Sequence, residues 1–208
     1  MDWREHPIRL PDTLSDGVLR LDAPTLADAP AHHAGEDDEM RRRFDSPRRA
    51  TLEEMRGALQ RWIDQRAAGG PQIAYMVRRP GAGLIGGCEI RLITPRTANI
   101  AYWIYPAHRR QGHAARAMRL LMAAAAAIDG LEVLEAHIAP DNLASRRLAE
   151  RLGFVETGEA DEDAWDGAIT RRLVYARPVW RRPGPRGGAL HRPPPPLRGP
   201  PPPAGEDK

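Results

Sequence analysis

The chain has 208 residues, 41% of them hydrophobic, which suits one domain with a tail, or at most two small units, and is ample for a packed core. Its formal net charge of +3 is unevenly placed: residues 178–208 carry +4 and residues 1–177 carry −1, so the basic balance gives no ground for a nucleic-acid-binding domain. The longest apolar stretch, Leu120–Ile128, is too short to span a bilayer, and the lone Cys88 excludes an intrachain disulfide and a cysteine-based zinc site.

In chain order, Met1–Leu10 mixes charges without a basic segment leading into an apolar one, which predicts no secretory signal and a cytoplasmic enzyme or binding domain. Residues 1–16 read as an N-terminal extension. "GVLRLDAP" (17–24) predicts a first strand, with Leu19 and Leu21 on one face. "TLADAPAHHAG" (25–35) and "EDDEMRRRF" (36–44) predict two short helices. "TLEEMRGALQRWIDQRAAGG" (51–70) predicts a long amphipathic one, capped by Thr51 with Glu54 at the capping-box position and ended by Gly69-Gly70. Strands follow at 72–79, 83–93 and 98–105, joined by the turn pairs Pro80-Gly81 and Thr94-Pro95. A helix from about 112 to 128, a strand at 131–139, and a helix from Pro140-Asp141 to Leu152-Gly153 come next. Residues 154–159 and 168–177 predict the last strands, joined by an acidic turn. The segment 178–208 holds eleven of the twenty-one prolines and is expected to be a disordered tail, extended where proline dominates.

The stretch "HRRQGHAAR" (108–116) sets Gly112 and cations at the mouth of the helix after strand 98–105. A helix N-terminus leaves N–H groups unpaired and carries partial positive charge, and a glycine there lets an anion approach the main chain. Alone, Arg109-x-x-Gly112-x-Ala114 is a weak pattern that favours a solvated surface turn over an anion cradle. A second segment, "APDNLASRRLAERLGF" (139–154), places another helix after the next strand.

Together the two segments resemble the GNAT superfamily of acyl-CoA-dependent N-acetyltransferases. "AYWIYPAHRRQGHA" and "EAHIAPDNLASRRLAERLGF" are closest in pattern to its ribosomal-protein N-terminal (alanine/serine) acetyltransferase branch. The resemblance spans residues 17–177. It implies an α/β (α+β) fold: a mixed, mostly antiparallel central sheet of about six to seven strands flanked by helices, splayed between the strands at 98–105 and 131–139. It also implies acetyl-CoA in the gap as donor substrate, with no metal. The main chain of Tyr102, Trp103 and Ile104 would meet the pantetheine arm and acetyl carbonyl. The loop of Arg109, Arg110, Gln111, Gly112, His113, Ala114 and Ala115 would hold the pyrophosphate through its N–H groups, and Asn142 would line the groove. The side chain of His113 reads as incidental.

Acetyl transfer needs a neutral amine, oxyanion stabilisation and a proton for the leaving thiolate. The Ile104 N–H is the candidate for the oxyanion. Many GNAT enzymes place a tyrosine seven residues after the helix asparagine, but here that position is Ala149. The branch this chain resembles has a serine three after it, which makes Ser145 the candidate for a hydrogen bond to sulfur; a helix-capping serine is the competing account. His137 and Glu135 share one strand face and are the candidate bases, with a structural role as the alternative. Asn99 stands where many relatives have a glutamate. Glu36, Asp37, Asp38 and Glu39 are read either as an attractor for a cationic acceptor or as a solvated helix end. His32 and His33 lack a third ligand at metal spacing.

The expectation is therefore an acetyl-CoA-dependent N-acetyltransferase acting on a primary amine, foremost a protein or peptide N-terminal α-amine. A small-molecule amine acetyltransferase and a non-catalytic acyl-CoA-binding module are the alternatives. No membrane partner is expected, and oligomeric state is left open.

Overall fold

The structure, a computed structural model, describes residues 7–163 and 168–180. Eight strands form one sheet in the order β1-β2-β3-β4-β5-β6-β8-β7. They are β1 (Thr13–Ser15), β2 (Arg20–Asp22), β3 (Gln72–Arg79), β4 (Gly83–Thr94), β5 (Thr97–Ile104), β6 (Val133–Ile138), β7 (Val155–Asp163) and β8 (Ile169–Pro178). Every neighbouring pair is antiparallel except β5–β6, which is parallel. The helices are α1 (Ala29–Gly35), α2 (Asp38–Arg43), α3 (Leu52–Ala68), α4 (His113–Ala125) and α5 (Leu143–Arg151). None of the described helices is long and apolar enough to cross a membrane.

The sheet has one strand more than the upper expectation, because the stretch ahead of residue 17 joins the domain. Thr13–Ser15 pairs with Arg20–Asp22, and Ile8 is buried in the core. A three-residue strand carries too little alternation to stand out in sequence. At the other end β8 runs to Pro178 and Val179 donates to the Glu132 carbonyl. The expected acidic turn is shorter than its sequence suggested, because β7 continues through residues 160–163; residues 164–167 and the proline-rich tail from residue 181 lie outside the described residues.

Helices cover the sheet on both sides. Adjacent strand residues point to opposite faces, so Tyr75 joins the main core with Leu121 of α4 and Leu148 of α5, whereas Met76 joins Met55 and Leu59 of α3. The α3 N-terminus has the predicted reciprocal cap between Thr51 and Glu54, a feature worth about 1 kcal/mol.

Trp103 on β5 faces the α1–α3 side. Its indole stacks on Trp62 of α3 and His32 of α1, with centroids 5.6 and 5.7 Å apart, and meets Phe44 edge-on at 5.9 Å. Burial pushes His32 down to about pKa 4, so the ring is neutral and exchanges a 2.9 Å hydrogen bond with the Tyr105 hydroxyl. His32 thus serves the packing of this cluster. Gly87 on β4 makes room for it: a Cβ there would lie 2.1 Å from the Trp103 ring. Gly87→Ala is expected to displace the stacked indole and cost about 1–3 kcal/mol, read as a lower urea midpoint with an unchanged slope.

Candidate active site

Strands β5 and β6 run together for only three residue pairs, Thr97↔Val133, Ala98↔Leu134 and Asn99↔Glu135. Beyond them each strand follows its outer neighbour: β5 stays with β4 as far as Gly86↔Ile104, and β6 stays with β8 as far as Ile138↔Leu173. A cleft of about 890 Å³ opens between them, walled by Ile100–Ile104, by residues 136–138 of β6 with Ala139 beyond it, and by α5. The N-terminus of α4 closes one end, and α2 borders the other side through Glu39, Met40 and Arg43, joined by Phe44 just after it. The Tyr105 N–H bonds the Ile85 carbonyl on β4. Alternation along the strand then directs the amides of Tyr102 and Ile104 away from β4, into the gap.

At the α4 end the backbone turns left-handed at Arg110 (φ 59°) and again at Gly112 (φ 80°), the N-cap residue. Such changes of hand fold successive N–H groups into a concave anion nest. No side chain caps the α4 N-terminus, so its N–H groups and dipole are offered to a ligand. A Cβ on Gly112 would meet nothing within 4 Å; the constraint there is backbone hand rather than space. Arg110 bears the left-handed conformation without that freedom, at a cost of about 1–2 kcal/mol, a strain of the sort stored at functional sites.

The loop's side chains divide their tasks. Arg109 donates to both Asp37 carboxylate oxygens at 2.7 Å, and its Nε donates to the Ile104 carbonyl at 2.8 Å. The Arg109 guanidinium holds the Asp37 carboxyl below the usual carboxylate range. Arg109 therefore ties the loop to the N-cap of α2 and to the end of β5. Gln111 turns away from the cleft and donates to the Ala107 carbonyl at 3.1 Å. Arg110, Gly112, His113, Ala114 and Ala115 line the cleft. The side chain of His113, expected to be incidental, is buried at the start of α4 with its Nε2 atom unpartnered, and burial lowers its pKa.

On α5, Asn142 is the N-cap and its Oδ1 accepts from the Ser145 N–H at 3.2 Å. The Ser145 hydroxyl is thus released from capping and lies 2.9 Å from the Tyr102 hydroxyl. Ala149, one turn on, also borders the cleft.

The two candidate bases meet. His137 Nε2 is 2.9 Å from Glu135, and Nδ1 is 2.6 Å from Glu162 on β7, a partner the sequence reading missed. The hydrogen bond that His137 donates to Glu162, reinforced by Glu135, raises the His137 pKa above that of an ordinary histidine and depresses that of Glu162. Arg172 of β8 joins Glu162 to Asp45, at the end of α2. The acidic run ahead of α2 is mostly committed: Asp37 to Arg109, Asp38 to Arg41, and Glu39 to Arg42 and Arg43. These pairs make it a structural element rather than a free attractor of cations.

A histidine whose pKa rises on folding contributes stability that is complete below its unfolded value, about 6.5, and is lost as pH rises through the folded value. His137 is accordingly expected to titrate above 6.5 when its ring protons are followed by NMR. Glu162→Gln should bring that midpoint down, and an unmoved midpoint would contradict the pairing.

Several solved structures share this architecture. An acetyltransferase from Salmonella typhimurium that modifies the N-terminal serine of ribosomal protein L7/L12 is 22% identical with a TM-score of 0.69, over 79% of this chain and 96% of that one. RimJ of Mycobacterium smegmatis, solved with a CoA disulfide, is 21% identical with a TM-score of 0.66, over 83% and 86%. The microcin C7 self-immunity acetyltransferase MccE, solved with acetyl-CoA and AMP, is 15% identical with a TM-score of 0.69, over 79% and 94%. At such identities the likeness establishes the fold. No curated protein matches at a significant level. The acetyltransferase (GNAT) domain family matches residues 19–155, well over half of the sequence and all of the cleft's β5 and β6 walls, and the chain belongs to that family.

Proposed function

We propose that the chain transfers an acetyl group from acetyl-CoA to the α-amine of a protein or peptide N-terminus. The observation that carries the donor assignment is the parted β5 edge leading to the uncapped N-terminus of α4. An amide-lined wall ending in a phosphate-sized nest matches a ligand with an amide-bearing arm and a pyrophosphate. Acetyl-CoA would be held by the amides of Tyr102 and Ile104, by the N–H groups from Arg110 to Ala115, and by the groove wall at Asn142. Bound there, it supplies an activated acyl thioester.

The chain's own part is electrostatic and positional. The Ile104 N–H faces the gap as an oxyanion donor. Glu135, His137 and Glu162 form a proton-binding unit at the acceptor side. While the ring is protonated it donates to both carboxylates; once it loses a proton, one nitrogen can receive a proton from an arriving amine. The raised pKa makes His137 a better acceptor and keeps it charged to higher pH. An N-terminal amine suits such a site: with a pKa near 7.7, about one molecule in six is neutral at pH 7, against about one lysine in 2,500. Likeness to protein N-terminal acetyltransferases supports this acceptor. Likeness to MccE keeps a small-molecule amine as the second reading.

Two outcomes test these assignments. Gly112→Val, which forces a β-branched residue to φ 80°, should raise the acetyl-CoA dissociation constant at least about tenfold by calorimetry, about 1.4 kcal/mol; unchanged affinity would refute the nest. With acetyl-CoA and a panel of peptides, lysine-only peptides with blocked N-termini and small amines, thiol release should track the free peptide α-amine. Release confined to small amines would transfer the assignment to the second reading.

A further inference from the structure

The side chain of Tyr102 has a part that its main-chain position does not account for. Trp103 turns to the α1–α3 side, so its neighbour Tyr102 turns to the α5 side. There the phenol crosses the cleft wall to meet Ser145 Oγ at 2.9 Å, joining residues 43 apart in sequence. Ser145 is not needed as a cap, because Asn142 fills that place. Ala149, one turn further on the same face of α5, adds no hydroxyl. The two oxygens are thus a hydroxyl pair set in the wall of the cleft, beside the strand edge that offers the Tyr102 and Ile104 amides.

The direction of the bond follows from acidity. A phenol is a stronger acid than a serine hydroxyl and so the better donor. Burial raises the Tyr102 pKa further from its ordinary value and keeps the phenol protonated at neutral pH. Ser145 Oγ therefore accepts from Tyr102, and its own proton is free to turn into the cleft.

We infer that Tyr102 is a positioning residue for the leaving group: by donating to Ser145 Oγ it aims the Ser145 proton at the thiol sulfur of bound coenzyme A, stabilising the thiolate. The inference rests on the acetyl-CoA reading of the cleft. Neither oxygen gives up its proton; the pair supplies a directed hydrogen bond to the sulfur, and a developing thiolate is what such a bond stabilises.

The test uses the full chain and its Tyr102→Phe, Ser145→Ala and doubly substituted forms. The thiol pKa of bound coenzyme A is read from thiolate ultraviolet absorbance, with the desulfo-coenzyme A complex of the same variant as reference. The wild type should hold the thiol pKa below that of free coenzyme A measured under the same conditions. Tyr102→Phe should raise it by about one unit, matched by a roughly tenfold fall in kcat, the loss expected for one hydrogen bond to a charged group. The KM for acetyl-CoA should stay within about threefold. Ser145→Ala should do at least as much, and adding Tyr102→Phe to it should change nothing further. A thiol pKa unmoved by Tyr102→Phe, or effects of the two substitutions that add, would overturn the inference. A wild type that lowers the thiol pKa yet acetylates no amine would support it while refuting the proposed reaction. A wild type that binds no coenzyme A would overturn both.

Discussion

The separation of β5 from β6 after Asn99 and Glu135 is the constraint on which the site depends. A sheet interior ordinarily pairs its strands to their ends, since buried N–H and C=O groups left alone are costly. Here each strand is retained by its outer neighbour, β5 by β4 and β6 by β8, so neither is lost to the sheet when the two diverge. The amides exposed in the gap are a donor and acceptor row that the sheet leaves to something else. Because the opening runs through the sheet, it also joins the side covered by α4 and α5 to the side covered by α1, α2 and α3.

Charge pairing holds both rims of that opening in place. Arg109 clamps Asp37, and with it the start of α2, to the loop below α4. Across the gap, Asp45 at the end of α2 is joined through Arg172 to Glu162, and Glu162 to His137 and Glu135. Helix α2 is therefore tied at its N-terminal end to the β5 side and at its C-terminal end to the β6 side. Paired, partly buried charges of this sort act mainly as geometric ties, since desolvation offsets much of their Coulombic attraction. The abundant arginine in the loop is for this reason a poor guide to anion binding: Arg109, the first residue of the pattern, spends its donors within the protein.

What was legible in the sequence was local. β3 falls where the apolar strand-like run predicts it, and α3 follows its capping box and its Met55–Leu59 stripe. The loop and α5 come from motifs in which spacing fixes geometry. Contacts between distant segments were not legible. Glu162 meets His137 across 25 residues and Tyr102 meets Ser145 across 43, and no periodicity announces such pairs. The fate of the acidic run was more accessible. Asp38 with Arg41 and Glu39 with Arg43 stand at helical pair spacing, which already favours mutual neutralisation over attraction of a cationic substrate.

Two consecutive residues on β5 connect these features. Trp103 faces the α1–α3 side, where its indole is stacked against Trp62 and His32 and bounded by Phe44 at the rim. Tyr102 faces the other side and holds the Ser145 hydroxyl. The two side chains share one backbone, whose amides at Tyr102 and Ile104 point into the gap. A displacement of the strand would therefore move the aromatic wall, the hydroxyl pair and the amide edge together. Gly87, which admits the indole against β4, sits directly opposite Trp103 in the ladder. Packing on the α1–α3 face and hydrogen-bond geometry on the α4–α5 face are in this way set by a single strand position, and a side chain added at Gly87 would disturb both.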